Sequence, residues 1–303
     1  MPKIPVDEFL EPGAGSSPQG PTLQVTREVD TTAAVRRLPP LPAVLQELLR
    51  ELRNVDADIG SLEERISSDP SLTTRVLKMA NSPFYNSRAE VVSVGRAVMI
   101  LGFKTVSNLI MASGFRGAMT VKGNLPGFEH NGIFRHSLGV GICCNRLGQR
   151  LVALRDHRDE LFVAGLLHDV GRIALSSFYQ DRAADLTLPA GRGLDRQVEF
   201  DAFGVDHPAV GEMVIDHWGL PHELIAPVTR HHDDPDTLRD EPTTLAVSLC
   251  DQLLNLAGFG LASPHGSEEK RDAILALLDT DLETVEKAVE GYEDEVASIL
   301  GAA

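Results

Sequence analysis

The run "LFVAGLLHDVGRIAL", residues 161–175, constrains this chain more than any other stretch. It is apolar on every side of a helical projection, so it must be surrounded by other parts of the protein. It is too short to span a bilayer, and no run of 18 apolar residues occurs elsewhere, so no membrane span is expected. Yet this run carries His168 and Asp169 side by side. Burying that pair is costly unless a cation or strong hydrogen-bond donors compensate it. The expectation is a central helix with His168 and Asp169 at its end, where two consecutive side chains can aim at one point. Gly171 is read as the helix stop.

The flanking sequence supplies the helices that would enclose this run. Leu41, Val44, Leu45, Leu48 and Leu52 recur at helical spacing. Ser61 and Glu64 have the spacing of a capping box, and Asp69-Pro70 reads as the cap and first turn of the next helix. Gly102 is read as the stop of a short helix after Ser93. Residues 36–116 therefore read as five short helices. After a Gly-containing break at 121–132, Ile133, His136, Val140, Cys144 and Leu147 form one stripe. Further helices follow to the C-terminus, ending in one with an acidic outer face. No alternating strand pattern and no internal repeat appears, so the fold class is all-α.

Histidines and acids recur on these helices at positions that should face inward. His136 lies on an apolar stripe. His207 opens a helix whose inner face includes Val210 and Val214, and His231 and His232 close another. Asp251 stands mid-helix among Val247, Leu249, Cys250 and Leu254. Two arrangements meet the cost of burying such groups. One is a polar network closed by its own hydrogen bonds. The other is a set of imidazole and carboxylate ligands around Mn, Fe, Zn, Ni or Mg, with one ion or a pair bridged by Asp169. Arg172 has two readings as well: a grip on a substrate phosphate, or a salt bridge beside the site. His217, just before Gly219, is expected at the surface.

Composition narrows the partners. The formal charge of −16, from 28 basic and 44 acidic side chains, argues against a broad nucleic-acid interface. Cys143, Cys144 and Cys250 sit in apolar helical segments with no CxxC pair, as expected of reduced core thiols in a cytoplasmic protein. The Gly-, Pro- and Ser-rich residues 1–28 read as a disordered tail.

The order His136, His168-Asp169, His207, His231-His232, Asp251 resembles the HD superfamily of metal-dependent phosphohydrolases. "LPPLPAVLQELL", "ISSDPSLTTRVLKMANSPFY" and "VVSVGRAVMILGFKTVSNLI" resemble the first half of the HDOD family. "FRHSLGVG", "AGLLHDVGRIAL", "DHPAVGEMVIDHWGLP" and "VTRHHDDP" resemble its second half. The resemblance implies an all-α HDOD domain over residues 29–258, with an N-terminal helical part (29–120) packed on an HD-type part (121–258) and a C-terminal helical extension (259–303). It implies a bacterial regulatory module acting through signalling partners or a small nucleotide. The divalent metal would be held by His136, His168, Asp169, His207, His231, His232 and Asp251. The alternative it implies is a phosphohydrolase acting on a nucleotide phosphoester, with Asp169 and Arg172 in catalytic roles. The related HD-GYP phosphodiesterases, which open cyclic di-GMP, carry a Gly-Tyr-Pro segment after the paired histidines and a lysine after the HD pair. Here those stretches are "HHDDPDTLRD" and "HDVGR", and both signatures are missing.

Overall fold

The computed structural model describes residues 31–51, 59–81, 90–118, 130–158, 160–182, 195–259 and 266–302. The tail at 1–28 and most of the break after residue 120 lie outside these residues. The described residues form helices and no strand. The first group is α1 (Thr31–Val35), α2 (Ala43–Glu51), α3 (Ile59–Ser68), α4 (Pro70–Ala80), α5 (Val94–Leu101) and α6 (Phe103–Ala118). The second is α7 (His130–Arg150), α8 (Leu161–Leu167), α9 (Val170–Arg182), α10 (Arg196–Phe203), α11 (His207–His217), α12 (Ile225–Arg230) and α13 (Pro242–Leu256). The chain closes with α14 (Glu268–Leu277), α15 (Leu282–Val289) and α16 (Tyr292–Ala302).

Local sequence signals explain most of these boundaries. Asp69 Oδ1 accepts a hydrogen bond from Leu72 N at 3.1 Å, and Pro70 opens α4 as expected. Asp195 and Asp206 cap α10 and α11 in the same way. The capping-box reading of Ser61 is corrected: Ile59 already begins α3, so Ser61 lies inside the first turn.

Every residue of α8 is buried, as the apolar run requires. The helix crosses α7 at a point where both chains are glycine. A Cβ on Gly165 would stand 2.8 Å from Gly141 Cα, so only a hydrogen at each position permits this approach. The stop assigned to Gly171 is also corrected. The chain turns at His168-Asp169, and Gly171 lies in the first turn of α9. There it admits the backbone of α11, since a Cβ would meet the His207 carbonyl oxygen at 1.9 Å.

One continuous hydrophobic core runs from Val35 to Ile299. Trp218 joins the first helices to the second group: its Nε1 donates to Pro39 O at 3.1 Å, and its ring lies 5.9 Å from that of Phe115. The last three helices belong to the same body, with α14 on α13 and both α15 and α16 on α7. Cys143, Cys144 and Cys250 are buried free thiols. No single helix among the described residues is long and apolar enough to cross a membrane.

Candidate metal centre

Five elements converge around α8. The turn after α8 carries His168 and Asp169, α7 carries His136, and α11 opens on His207. The end of α12 delivers His231 and His232, and the middle of α13 delivers Asp251. His136, His168, Asp169, His207, His231 and Asp251 are buried, while His232 is half-buried.

The imidazoles share one orientation. His168 Nδ1 donates to Gly165 O at 2.8 Å, and His231 Nδ1 to Pro227 O and Val228 O, each at 3.0 Å. His136 Nδ1 faces Phe259 O at 3.3 Å, and His207 Nδ1 faces Glu199 Oε2 at 2.6 Å. All these partners are acceptors, so they assign the proton to Nδ1. In the neutral rings the Nε2 atoms of His136, His168, His207 and His231 are then bare lone pairs, and those of His207 and His231 face each other. His207 Nε2 stands 3.4 Å from His231 Nε2, 3.1 Å from His232 Nε2 and 3.1 Å from Asp169 Oδ1. His136 Nε2 stands 3.0 Å from Asp251 Oδ1. The buried atoms His168 Nε2 and Asp251 Oδ2 have no hydrogen-bond partner.

Part of the cluster is closed by hydrogen bonds, with Asn255 Nδ2 donating to Asp251 Oδ1 at 2.8 Å, but the imidazole lone pairs around His207 are not. Acceptors facing acceptors in a dry interior repel unless a cation sits between them. Ligands bound about 2.1 Å from a common ion stand roughly 3.0–3.4 Å from one another, and the spacings around His207 match that. Two donor groups result: Asp169, His207, His231 and His232 in one, and His136, His168 and Asp251 in the other. His168 Nε2 lies 3.6 Å from Asp169 Oδ2, so the groups adjoin at the His-Asp pair. Imidazole nitrogen with carboxylate oxygen suits a divalent transition metal.

Burial and neighbouring charges shift the titration of the cluster in both directions. Burial disfavours the charged form of Asp169, but Arg172 and the surrounding imidazoles outweigh it and hold the carboxyl well below the usual range. Asp251 is held low too, as His136 and His168 overcome its burial. Burial, then the neighbouring imidazoles, pushes His231 and His232 well below the ordinary histidine value. His168 is raised despite burial, because Asp169 and Asp251 face it.

The Arg172 side chain is buried between two carboxylates. Its Nε stands 3.0 Å from Asp169 Oδ1, and one terminal nitrogen 3.1 Å from Glu199 Oε1. This is the salt-bridge arrangement of the two that the sequence allowed. Glu199 itself escaped the sequence reading. It lies fully buried on α10 and accepts from both His207 N, at 2.8 Å, and His207 Nδ1. No local signal marked it: in the fold Val198 and Phe203 of the same helix are buried, but the apolar Phe200 points outward at 56% exposure. Glu199 fixes the His207 tautomer that aims Nε2 inward. Replacing Glu199 by Gln is expected to weaken metal binding about 10- to 100-fold while leaving the metal stoichiometry intact at saturation. Competition against a chelator measures this, and an unchanged affinity removes the orienting role.

His217 is exposed at the end of α11, and His157 pairs with Glu160 at 3.1 Å, away from the cluster.

The HDOD domain model matches residues 38–234. An uncharacterized protein of Treponema pallidum (strain Nichols) is 25% identical over 201 residues, which cover 65% of this chain and 38% of that protein. The chain thus spans well under half of that relative's length. Among solved structures, an HDOD domain protein of unknown function from Geobacter sulfurreducens aligns with a TM-score of 0.71 at 21% identity, covering 90% of this chain and 98% of its own. A protein from Shewanella amazonensis SB2B, provisionally named a phosphohydrolase, aligns with a TM-score of 0.64 at 24% identity and the same coverage. With the helical architecture on the page and the family model spanning well over half of the sequence, the chain belongs to the HDOD domain family.

Proposed function

We propose that this protein is a signalling module whose HD-type site holds divalent metal and, through it, a phosphorylated small ligand such as a nucleotide. The observation that carries this reading is the convergence of His207, His231 and His232 Nε2 with Asp169 Oδ1 at the spacing of ligands on one ion. Asp169 adjoins both donor groups and is the residue that would bridge two ions. His136, His168 and Asp251 would hold the second. A bound divalent metal supplies Lewis-acid polarisation of a phosphoryl oxygen and makes water acidic enough to react near neutral pH. The chain's own contribution is to fix the donors. Glu199 orients His207, the backbone carbonyls of α8 and α12 orient His168 and His231, and Arg172 holds Asp169 in its charged form.

The second reading is a metal-dependent phosphohydrolase. It is favoured by the complete donor set together with Asp251 Oδ2 and His168 Nε2, which the protein leaves without partners.

Elemental analysis of protein purified without chelators tests the shared premise. About two equivalents of transition metal are expected, and none would leave only a regulatory scaffold. Turnover of generic phosphodiesters and phosphomonoesters by the loaded protein then separates enzyme from module.

The depressed histidines add a pH dependence. In the unfolded chain His231 and His232 titrate near ~6.5. Below that pH the unfolded state takes up protons that the native metal-free state refuses, so stability falls on acidification. His168, raised in the fold, instead adds stability above that window: the gain is complete below ~6.5 and is lost as pH rises through its raised value. Asp169 and Asp251 stay charged far into acid, and their contribution is lost only as pH drops through their depressed values. The Tm of chelator-treated protein is therefore expected to be highest near neutral pH and to decline from about pH 6.5 downward. A Tm that stays level down to pH 5 contradicts burial of neutral imidazoles.

A further inference from the structure

The sequence offered Arg172 as the cation for a phosphate, but its guanidinium is enclosed by Asp169 and Glu199. A different cation stands beside the cluster. Lys270, on α14, donates from Nζ to the backbone oxygen of His231 at 3.3 Å. Its side chain is half-buried beside His231, in the field of the Asp251, Asp233 and Asp234 carboxylates and of the Arg196 guanidinium.

The helix that carries Lys270 is held in place. Ser267 N donates to Gln252 Oε1 at 2.8 Å, and Gln252 immediately follows Asp251 on α13. A Cβ on Gly266 would lie 2.5 Å from Leu256 Cγ, so the chain enters α14 tight against α13. The Ser267 hydroxyl caps the helix by accepting from Lys270 N at 3.2 Å. Lys270 is therefore a cation on a supported helix, one hydrogen bond from the backbone of a candidate ligand. When Asp251 is engaged by a divalent ion, its charge no longer compensates the ammonium. The cation then keeps the weaker field of Asp233 and Asp234, and an incoming anion can meet it beside the half-buried His232.

We propose that Lys270 is the ligand-recognition residue of this site, contacting the phosphate of a metal-held phosphorylated ligand. The inference rests on the metal reading above, and it assigns part of the site to a helix beyond the region matched by the family model.

The test uses the full chain with Lys270→Met and Lys270→Arg, metal content by elemental analysis, Tm by calorimetry, and titration with inorganic phosphate as the probe. The methionine variant is expected to keep the parent's metal content, to melt within a few degrees of it, and to bind phosphate about tenfold or more weakly. Arginine is expected to restore most of that affinity. Parent-like phosphate binding by the methionine variant overturns the proposal. So does loss of metal in step with loss of phosphate, which makes Lys270 a support for the His231 backbone, and so does failure of the loaded parent to bind phosphate. A parent without metal refutes the metal reading separately, and the same titration on that protein still decides whether Lys270 binds the anion.

Discussion

Asp169→Asn protein is expected to leave purification with less than about a tenth of the parent's metal, and to be the least stable of the ligand variants. Asp169 is the carboxylate shared by both halves of the cluster. Its Oδ1 stands 3.1 Å from His207 Nε2 and 3.8 Å from His231 Nε2, and its Oδ2 stands 3.6 Å from His168 Nε2. Asparagine is close to isosteric, so the helices need not move. What changes is charge and polarity. The amide offers a nitrogen donor where a cation expects an oxygen, and that donor satisfies the imidazole lone pairs that metal would otherwise engage. The buried Arg172 loses one of its two carboxylates and keeps Glu199. Breaking a buried ion pair costs about 3–5 kcal/mol, and the remaining partner places this variant near the lower figure. A Tm lower by roughly 6–12 °C follows for the metal-free protein. Metal retained at the parent's level would show that Asp169 is not a ligand. A parent without metal beside a variant that is merely less stable would make the His-Asp pair a core hydrogen-bonding device.

Much of this arrangement was legible from residue type and order. The apolar run 161–175 had to be central, and α8 is. The seven candidate ligands were identified because a buried histidine or acid stands out against apolar neighbours, and the structure brings all seven to one place. What escaped the reading depends on contacts between distant segments. Glu199 looks like one more acid on a charged surface helix until α10 is seen to turn it inward against the opening of α11. Lys270 lies in a C-terminal stretch whose local composition says only "amphipathic helix". Its meaning comes from where α14 docks on α13. Arg172 carried two readings because its role depends on Glu199, 27 positions away in sequence. Ser61 shows the converse error: a local capping spacing was present, but the helix starts two residues earlier.

Gly171 is the most instructive of these misreadings, and replacing it by alanine is expected to destabilise the protein by about 3 kcal/mol or more. A glycine after an apolar helical run is ordinarily a stop signal, which is why the sequence suggested one. In the fold it is a contact point between two backbones. An alanine Cβ would stand 1.9 Å from the His207 carbonyl oxygen, 2.8 Å from its carbonyl carbon and 2.7 Å from Gly211 N. None of these atoms belongs to a side chain that can rotate away. Relief requires α9 and α11 to part by about 1.5 Å or more, given ordinary van der Waals separations. Those helices carry the cluster, because Asp169 immediately precedes α9 and His207 opens α11. Their separation therefore stretches the 3.1 Å approach of His207 Nε2 to Asp169 Oδ1. Stability and metal affinity are expected to fall together in Gly171→Ala. By contrast, Gly117→Ala, on α6 with open space where its Cβ would sit, is expected to be neutral or stabilising by up to about 1 kcal/mol. Urea unfolding of the two metal-free variants, with metal titration of each, separates the effects. A Gly171→Ala protein as stable and as metal-avid as the parent would mean that α9 and α11 do not cross this closely, and the donor geometry built on that crossing would fall with it.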